Sequence, residues 1–532
     1  MNPPGAATAV QPSPVHNVGA WTTRRAAIRG EQLALVDADR ALDYAAFHAR
    51  TQRCAALLRG AGLQRGERVA LLLGNRTAYL EVVMAAARLG AIAVPINARL
   101  TAREVRVLLD DCAPRLLLHE ASLAEVAGAA CAELDAPPAR IVCPEAYERH
   151  LAEQIPDDHV EPVTPDHPMI LMYTSGTTGV PKGALLPHRK TLFNCLNAQL
   201  FFDLTHHDRV LVVLPLFHSF GLSILSLPTL YAGGSIHLEA RFDPEATWDR
   251  IAERRITFMG AVPTQFRAML DVLEAAPRVR DTGSLRFLFS AGAPIAVEQI
   301  RAFERHGLLL KQGFGQTETS ILCCLDARDA VRKAGSVGRP VFHAEIRVVA
   351  LDTVDGETGT WRDVEPGETG EIVVRGPITM LGYWRRPEET AETLRGEWLR
   401  TLDLASVDAE GFLTLVGRAR ELYISGGENV YPAEIESVYQ EHPDVRDIAV
   451  VGVPDAKWGE VGRAYVVLAR DARFDAEALR RWGTERLADF KLPRSFVAVD
   501  ALPRTETGKV QKHRLGAEEG AKSAGAPEVS AQ

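Results

Sequence analysis

Thr174-Ser-Gly-Thr-Thr-Gly-Val-Pro-Lys-Gly183 packs three glycines, four hydroxyls and one lysine into ten residues, directly after the apolar run Met169-Ile-Leu-Met172. Glycines let backbone amides turn toward an anion, hydroxyls add donors and Lys182 adds a point charge, so a strand feeding this loop makes a phosphate cradle. Thr174, Ser175, Gly176, Thr177, Thr178 and Gly179 would line it. It is not the Walker loop, because no Gly-Lys-Ser/Thr closes it and Pro181 precedes the lysine. A plain Gly/Ser/Thr-rich surface loop is the competing reading, and downstream segments decide against it. Gln312-Gly-Phe-Gly-Gln-Thr-Glu-Thr319 sets a hydroxyl beside a carboxylate, Thr317 and Glu318, although the pair alone also suits the first turn of a helix. Trp398-Leu-Arg-Thr-Leu-Asp403, Gly417-Arg-Ala-Arg420, Ser425-Gly-Gly-Glu-Asn-Val430 and Arg504-Thr-Glu-Thr-Gly-Lys509 add a carboxylate, guanidiniums, paired glycines and a lysine.

The elements that must position these residues alternate between strand-like and helix-like runs. Val69-Ala-Leu-Leu-Leu73 reads as a buried strand and Thr77 to Leu89 as the helix after it, stopped by Gly90. Arg209 to Leu214, Ile256 to Met259 and Leu285 to Phe289 repeat the strand pattern, which implies parallel sheets covered by helices. After Gly335 short alternating strands, Glu345 to Val349 and Glu371 to Arg375, lie between Gly/Pro/Asp turns and predict a β-rich subdomain over about 335–416. Beyond, a helix Ala433 to His442, strands Ile448 to Val453 and Ala464 to Leu468, and a helix Ala476 to Phe490 predict a small α+β unit. The fold class expected is α/β: a large N-terminal domain of helix-covered sheets over 1–419, a mobile α+β C-terminal lid over 420–516, and a disordered tail over 517–532.

Bulk properties exclude several classes. The 532 residues carry a net charge of -9 without a dense Lys/Arg cluster, which argues against a nucleic-acid surface. Seven scattered cysteines without a CxxC pair fit a reducing cytosol, and a cytoplasmic location is expected. Met1 to Val15 has neither a basic start nor an apolar core, so it does not read as a signal peptide. Val210 to Tyr231 is nearly long enough to span a bilayer, but Pro215, Gly221 and Pro228 interrupt it, and a buried strand, turn and core helix is expected instead.

The six motifs, in this order and over roughly residues 20 to 516, resemble the adenylate-forming superfamily of acyl-CoA synthetases, luciferases and peptide-synthetase adenylation domains. The resemblance implies attack of a carboxylate on the ATP α-phosphate, release of pyrophosphate, and transfer of the acyl group to a thiol. It implies ATP, Mg²⁺ and coenzyme A as cofactors. Lys182 and its loop would hold the β- and γ-phosphates, Thr317 the α-phosphate and Glu318 the Mg²⁺. Gly313, Phe314 and Gly315 would flank the nucleotide; Phe314 stands where the family has Tyr, and Gln316 where it has Met or Leu. Gly292 and Ala293 would run along the adenine, and Asp403 and Arg418 would take the ribose hydroxyls. Leu402 replaces a family Gly. Lys509 would bridge carboxylate and α-phosphate, then leave as the lid rotates about Arg420 and brings Gly426 and Gly427 against pantetheine. Trp458, Lys491 and Arg494 resemble CoA-contacting positions; core packing for Trp458 and a solvated face for the two cations are the rival readings.

His218, in Pro215-Leu-Phe-His-Ser-Phe-Gly221, resembles a gate beside the carboxylate, with a satisfied core histidine as its rival. Phe220 and Gly313 stand where dicarboxylate users carry His and Arg, so a second carboxylate would be buried unpaired and a monocarboxylic acid follows. Ala261, Ala291 and Gly313 would leave room for an alkyl chain or a ring. A medium- or long-chain fatty acid is the favoured substrate of an acid–thiol ligase. An aryl or hydroxycinnamoyl-type acid, carrier-protein loading, and an inert scaffold that kept the fold are the alternatives. No nucleic acid and no transmembrane segment are expected, and a homodimer is left open.

Overall fold

A computed structural model describes residues 11–174, 181–275, 280–419, 421–425, 428–455, 457–470, 472–505 and 510–515. Parallel strands buried on both faces read as unbroken apolar runs, and the two large sheets are built from such runs. In the nine-stranded sheet Leu310–Gln316, Phe287–Ser290, Phe258–Ala261, Arg209–Val212 and Ser235–Leu238 lie side by side and parallel. Ser320–Cys324 folds back antiparallel on the first of them. The seven-stranded sheet holds Arg68–Leu72, Ile92–Pro95, Leu116–Glu120, Ala139–Cys143 and Pro168–Thr174 in parallel. Its far edge turns antiparallel with Lys182–Pro187 and then Gly382–Tyr383.

Helix Thr77–Arg88 is buried at every position, so its apolar sequence faces packed neighbours on all sides. Glu345–Ala350, Thr369–Arg375, Leu394–Arg395, Trp398–Val407 and Leu413–Arg418 form a five-stranded antiparallel sheet. A second five-stranded sheet of Tyr423–Ser425, Glu428–Val430, Val445–Asp455, Gly459–Leu468 and Ser495–Ala498 packs with helices Pro432–Gln440 and Ala476–Thr484. The mixed α/β fold expected from the pattern is the one observed.

Two segments differ in detail. The apolar run from Val210 resolves into strand Arg209–Val212, a π-helical stretch Phe220–Ser226 and helix Leu227–Ala232. Among the described residues no helix is long and apolar enough to cross a membrane. The helix expected over Ala476 to Phe490 stops at Thr484. Ala488 is extended (φ −63°, ψ 149°), and a separate turn Asp489–Lys491 carries Phe490 onto the core. Two elements therefore meet an apolar spacing that the sequence suggests for one.

Candidate active site

Ligands of open α/β sheets bind in the crevice beyond the carboxyl ends of the strands. Here Arg209–Val212 runs on toward His218, Phe287–Ser290 into Ala291-Gly292-Ala293, and Leu310–Gln316 into Thr317 and Glu318. Ser290 lies opposite Gln312, so the Gly292 loop leaves the sheet beside Gly313 and Phe314. Gly292 has a φ of 87°, the left-handed region that a side chain resists. Phe314 is half-buried and packs on the main core, which leaves part of its ring open.

Thr317, Glu318 and Thr319 form the tip of a hairpin in which Gln316 pairs with Ser320 and Gly315 with Ile321. A Cβ at Gly315 would overlap the Ser320 carbonyl oxygen, so this glycine answers a close backbone approach. The tip is held from two sides. On one side Gln316 Nε2 donates to the Thr401 carbonyl at 2.8 Å and to Asp403 Oδ2. Asp403 Oδ1 lies 3.1 Å from Arg418 Nε, and the two residues pair across adjacent strands. Asp403 is buried while the Arg418 side chain is about one-third exposed (38%), so the pair presents its guanidinium outward.

On the other side Tyr383 Oη donates to Glu318 Oε1 at 2.9 Å, and Met380 N donates to the Glu318 carbonyl at 2.8 Å. The Lys182 ammonium stands 5.6 Å from the centre of the Tyr383 ring and 4.0 Å from Glu389. Thr174 faces Lys182 across its strand pair, with Oγ1 donating to the Lys182 carbonyl at 3.3 Å. Lys182, Glu318, Asp403 and Arg418 are therefore joined by one chain of contacts running Lys182–Tyr383–Glu318 and Gln316–Asp403–Arg418, with Thr317 between its halves. Tyr383 has no counterpart in the sequence reading. Its signal was Gly382-Tyr-Trp384, whose importance appears only when Gly382–Tyr383 adds to the edge of the Lys182 strand.

Leu402 adopts φ 59°. That explains why a glycine suits the position, since the left-handed region costs another residue about 1–2 kcal/mol. The Leu402 carbonyl accepts from Ala419 N at 3.0 Å, which locks the turn into Asp403 against the Arg418 strand. His218 is half-buried, and its Nδ1 accepts from Phe220 N at 3.2 Å, which puts the proton of the neutral ring on Nε2. The room expected over Gly313 is filled: a Cβ there would stand 2.7 Å from Cζ of Phe289. The reason is packing, since the phenyl ring takes the space into which a side chain would project. Ala261 and Ala291 are buried.

The remaining cations sit elsewhere. Trp458 is 39% exposed, which rules out core packing, and carries Lys457 at 4.7 Å and Arg494 at 6.0 Å from its ring. Asp455 holds the Trp458 turn by accepting from Lys457 N and Trp458 N, each at 2.8 Å. Lys491 is engaged by both carboxylate oxygens of Glu434, at 2.7 and 2.9 Å. Ser175, Gly176, Thr177, Thr178, Gly179, Arg420, Gly426, Gly427 and Lys509 lie outside the described residues.

Glu318 is the residue here that could hold a Mg²⁺ ion. Tyr383 fixes one carboxylate oxygen of Glu318. Mg²⁺ is characteristically held by one or two carboxylates together with substrate phosphates. Tyr383→Phe keeps the ring beneath Lys182 and removes only the hydroxyl. It is expected to raise the Mg²⁺ concentration for half-maximal adenylate formation by about tenfold, in the range for losing a partner of a metal ligand. A magnesium titration of pyrophosphate release measures it.

Residues 22–384 match the AMP-binding enzyme family, and residues 434–509 match the AMP-binding enzyme C-terminal domain. A feruloyl-CoA synthase from an Amycolatopsis species is 41% identical over 498 residues, covering 93% of this chain and 97% of that protein. The long-chain-fatty-acid–CoA ligase FadD13 of Mycobacterium tuberculosis is 35% identical over 505 residues, covering 93% and 97%. ATP-bound MatB from Rhodopseudomonas palustris superposes with a TM-score of 0.87 at 31% identity, covering 94% of this chain and 98% of that one.

Proposed function

We propose, from the premise that this chain belongs to the AMP-binding enzyme family and is an ATP-dependent acid–CoA ligase, that its acid is an aryl monocarboxylate of the hydroxycinnamate type. The observation that carries this reading is a pair of aromatic rings, one of them two residues from His218. Phe220 and Phe289 are buried and meet edge to face, with ring centres 5.7 Å apart at 83°. Each ring rests on a glycine. A Cβ at Gly260 would stand 2.8 Å from Phe220, and one at Gly313 would stand 2.7 Å from Phe289. An acid that enters against these rings would meet aromatic edges and faces, and a planar acid would gain about 0.5–1.5 kcal/mol there beyond the area buried. The feruloyl-CoA synthase similarity supports the same class, and the fatty acid favoured in the sequence reading gains nothing particular from these rings.

In the proposed mechanism His218 Nε2–H donates to the incoming carboxylate. The adenine lies between the Gly292-Ala293 loop and Phe314, and the ribose hydroxyls bond to Asp403 and Arg418. Lys182, with Thr174 and the loop after it, holds the β- and γ-phosphates. Thr317 donates to the α-phosphate. Mg²⁺, bound by Glu318 and the phosphates, would neutralise triphosphate charge. A carboxylate oxygen attacks the α-phosphorus, the bond to the bridging oxygen breaks, and pyrophosphate leaves, with Lys509 drawing the two anions together. The CoA thiolate then attacks the acyl carbon and AMP leaves. Trp458 and Arg494 offer a stacking face and a cation to the nucleotide end of CoA, while Lys491, occupied by Glu434, contributes only if that pair opens.

Thioester formation across cinnamic, hydroxycinnamic, benzoic, dodecanoic and hexadecanoic acids tests the substrate class. Hydroxycinnamates are expected to exceed the alkyl acids in kcat/KM by roughly tenfold or more, the scale that pocket complementarity supplies. A preference for the alkyl acids would overturn the aryl reading. Adenylate without thioester in the presence of CoA would overturn the acceptor.

A further inference from the structure

Lys190 is a fully buried lysine for which the mechanism above has no use. It lies in the first turn of helix His188–Phe202 with 2% of its surface exposed, and among the described residues no carboxylate stands within ion-pair distance of its ammonium. An ammonium taken out of water without a paired charge is costly, so its neighbours have to give a reason for it. Nζ donates to Ser320 Oγ, and the nearest acid that attracts it is Glu318. Burial pulls its pKa down to about 7 against that attraction.

Ser320 is where the hairpin bearing Thr317 and Glu318 closes. It is buried, has a φ of 67°, and its carbonyl presses on Gly315. A left-handed serine in a tight closure persists only where its surroundings hold it. One turn along the same helix, Asn194 is likewise buried and grips the next residue: its Oδ1 accepts from Ile321 N at 3.3 Å. Its Nδ2 donates to the Ser223 carbonyl at 2.7 Å, in the π-helical stretch that carries Phe220. Residues four apart share a helix face, so one face of this helix grasps the hairpin at successive residues.

We propose that Lys190 is a positioning residue for the adenylation reaction, holding the Thr317–Glu318 hairpin in register through Ser320. The proposal rests on the nucleotide site described above. The long side chain acts as a strut whose amine donates to the hydroxyl of the residue that closes the hairpin.

Binding of a non-hydrolysable ATP analogue with Mg²⁺, followed by calorimetry without turnover, tests it on the full chain. Ser320→Ala deletes one hydroxyl, and Lys190→Met keeps the length of the side chain without its charge. Each is expected to weaken binding about tenfold, the scale of a lost charge-assisted hydrogen bond. KM for the acid should stay unchanged, and the double variant should be no weaker than Lys190→Met alone, because both act through one link. A merely structural role would lower the thermal midpoint and leave the affinity intact. That result for Ser320→Ala, or additive losses in the double variant, would overturn the proposal. Should Lys190→Met not fold, Ser320→Ala decides alone. Failure of the unaltered protein to bind the analogue would count against the nucleotide site itself, a separate outcome.

Discussion

Exchange of Lys509 for alanine is expected to slow adenylate formation by about 10²–10³-fold, the loss seen when one preorganised donor to a developing anion is removed. Thioester formation from supplied aryl-adenylate and CoA should change little. The asymmetry follows from the chemistry. The first half-reaction drives a carboxylate into a polyphosphate and needs a cation between them, whereas the second expels AMP from a neutral carbonyl. Described residues before and after Lys509 are themselves held by contacts. Arg504 bridges to Val510 and pairs with Asp447, and Gln511 N donates to the Pro503 carbonyl at 2.7 Å. Lys512 is clamped by Glu421 at 3.0 Å and Glu436 at 2.8 Å. Single-turnover measurement of each half-reaction separates the two rates. Equal losses in both would assign Lys509 to folding of the C-terminal unit and not to the adenylation step.

Glu318→Gln is the second large effect, expected to cost about 10²-fold or more in adenylate formation while the thermal midpoint stays close to that of the unaltered protein. The amide is nearly isosteric, and its carbonyl can still accept from Tyr383, so hairpin geometry survives and the charge alone is lost. The deficit should not be recovered by saturating ATP, since what is missing is charge at the triphosphate and not adenosine recognition. Rates measured over a range of magnesium concentrations, at saturating ATP and acid, distinguish this from a general loss of binding.

Much of this arrangement was legible in the residues. Motifs that require a backbone approach or a charge announce themselves: Gly315 is glycine because Ser320 presses on it, and Gly292 because its φ is positive. Parallel strands such as Phe258–Ala261 were legible as apolar runs, with ends displaced by a residue or two. What escaped the sequence depends on long-range pairing. Tyr383 matters through a two-residue strand laid on a sheet edge, and Lys190 through helix packing against a hairpin 130 positions away. Neither spacing leaves a local trace. Gly313 was misjudged for a related reason: a missing side chain signals free volume, but only the fold decides whether a ligand or a neighbouring ring takes it. Leu402 marks the opposite case, where a departure from glycine was visible and its consequence, a left-handed leucine before Asp403, was a matter of backbone geometry.

In the proposed reaction Lys182, Glu318, Asp403 and Arg418 serve one nucleotide whose α-phosphate meets an aryl acid. Acid-dependent exchange of labelled pyrophosphate into ATP, run without CoA, tests this most directly. The expected result is exchange that requires both Mg²⁺ and a hydroxycinnamate and is largely abolished by Asp403→Ala. Absence of exchange with every acid, or exchange that Asp403→Ala leaves untouched, would contradict it.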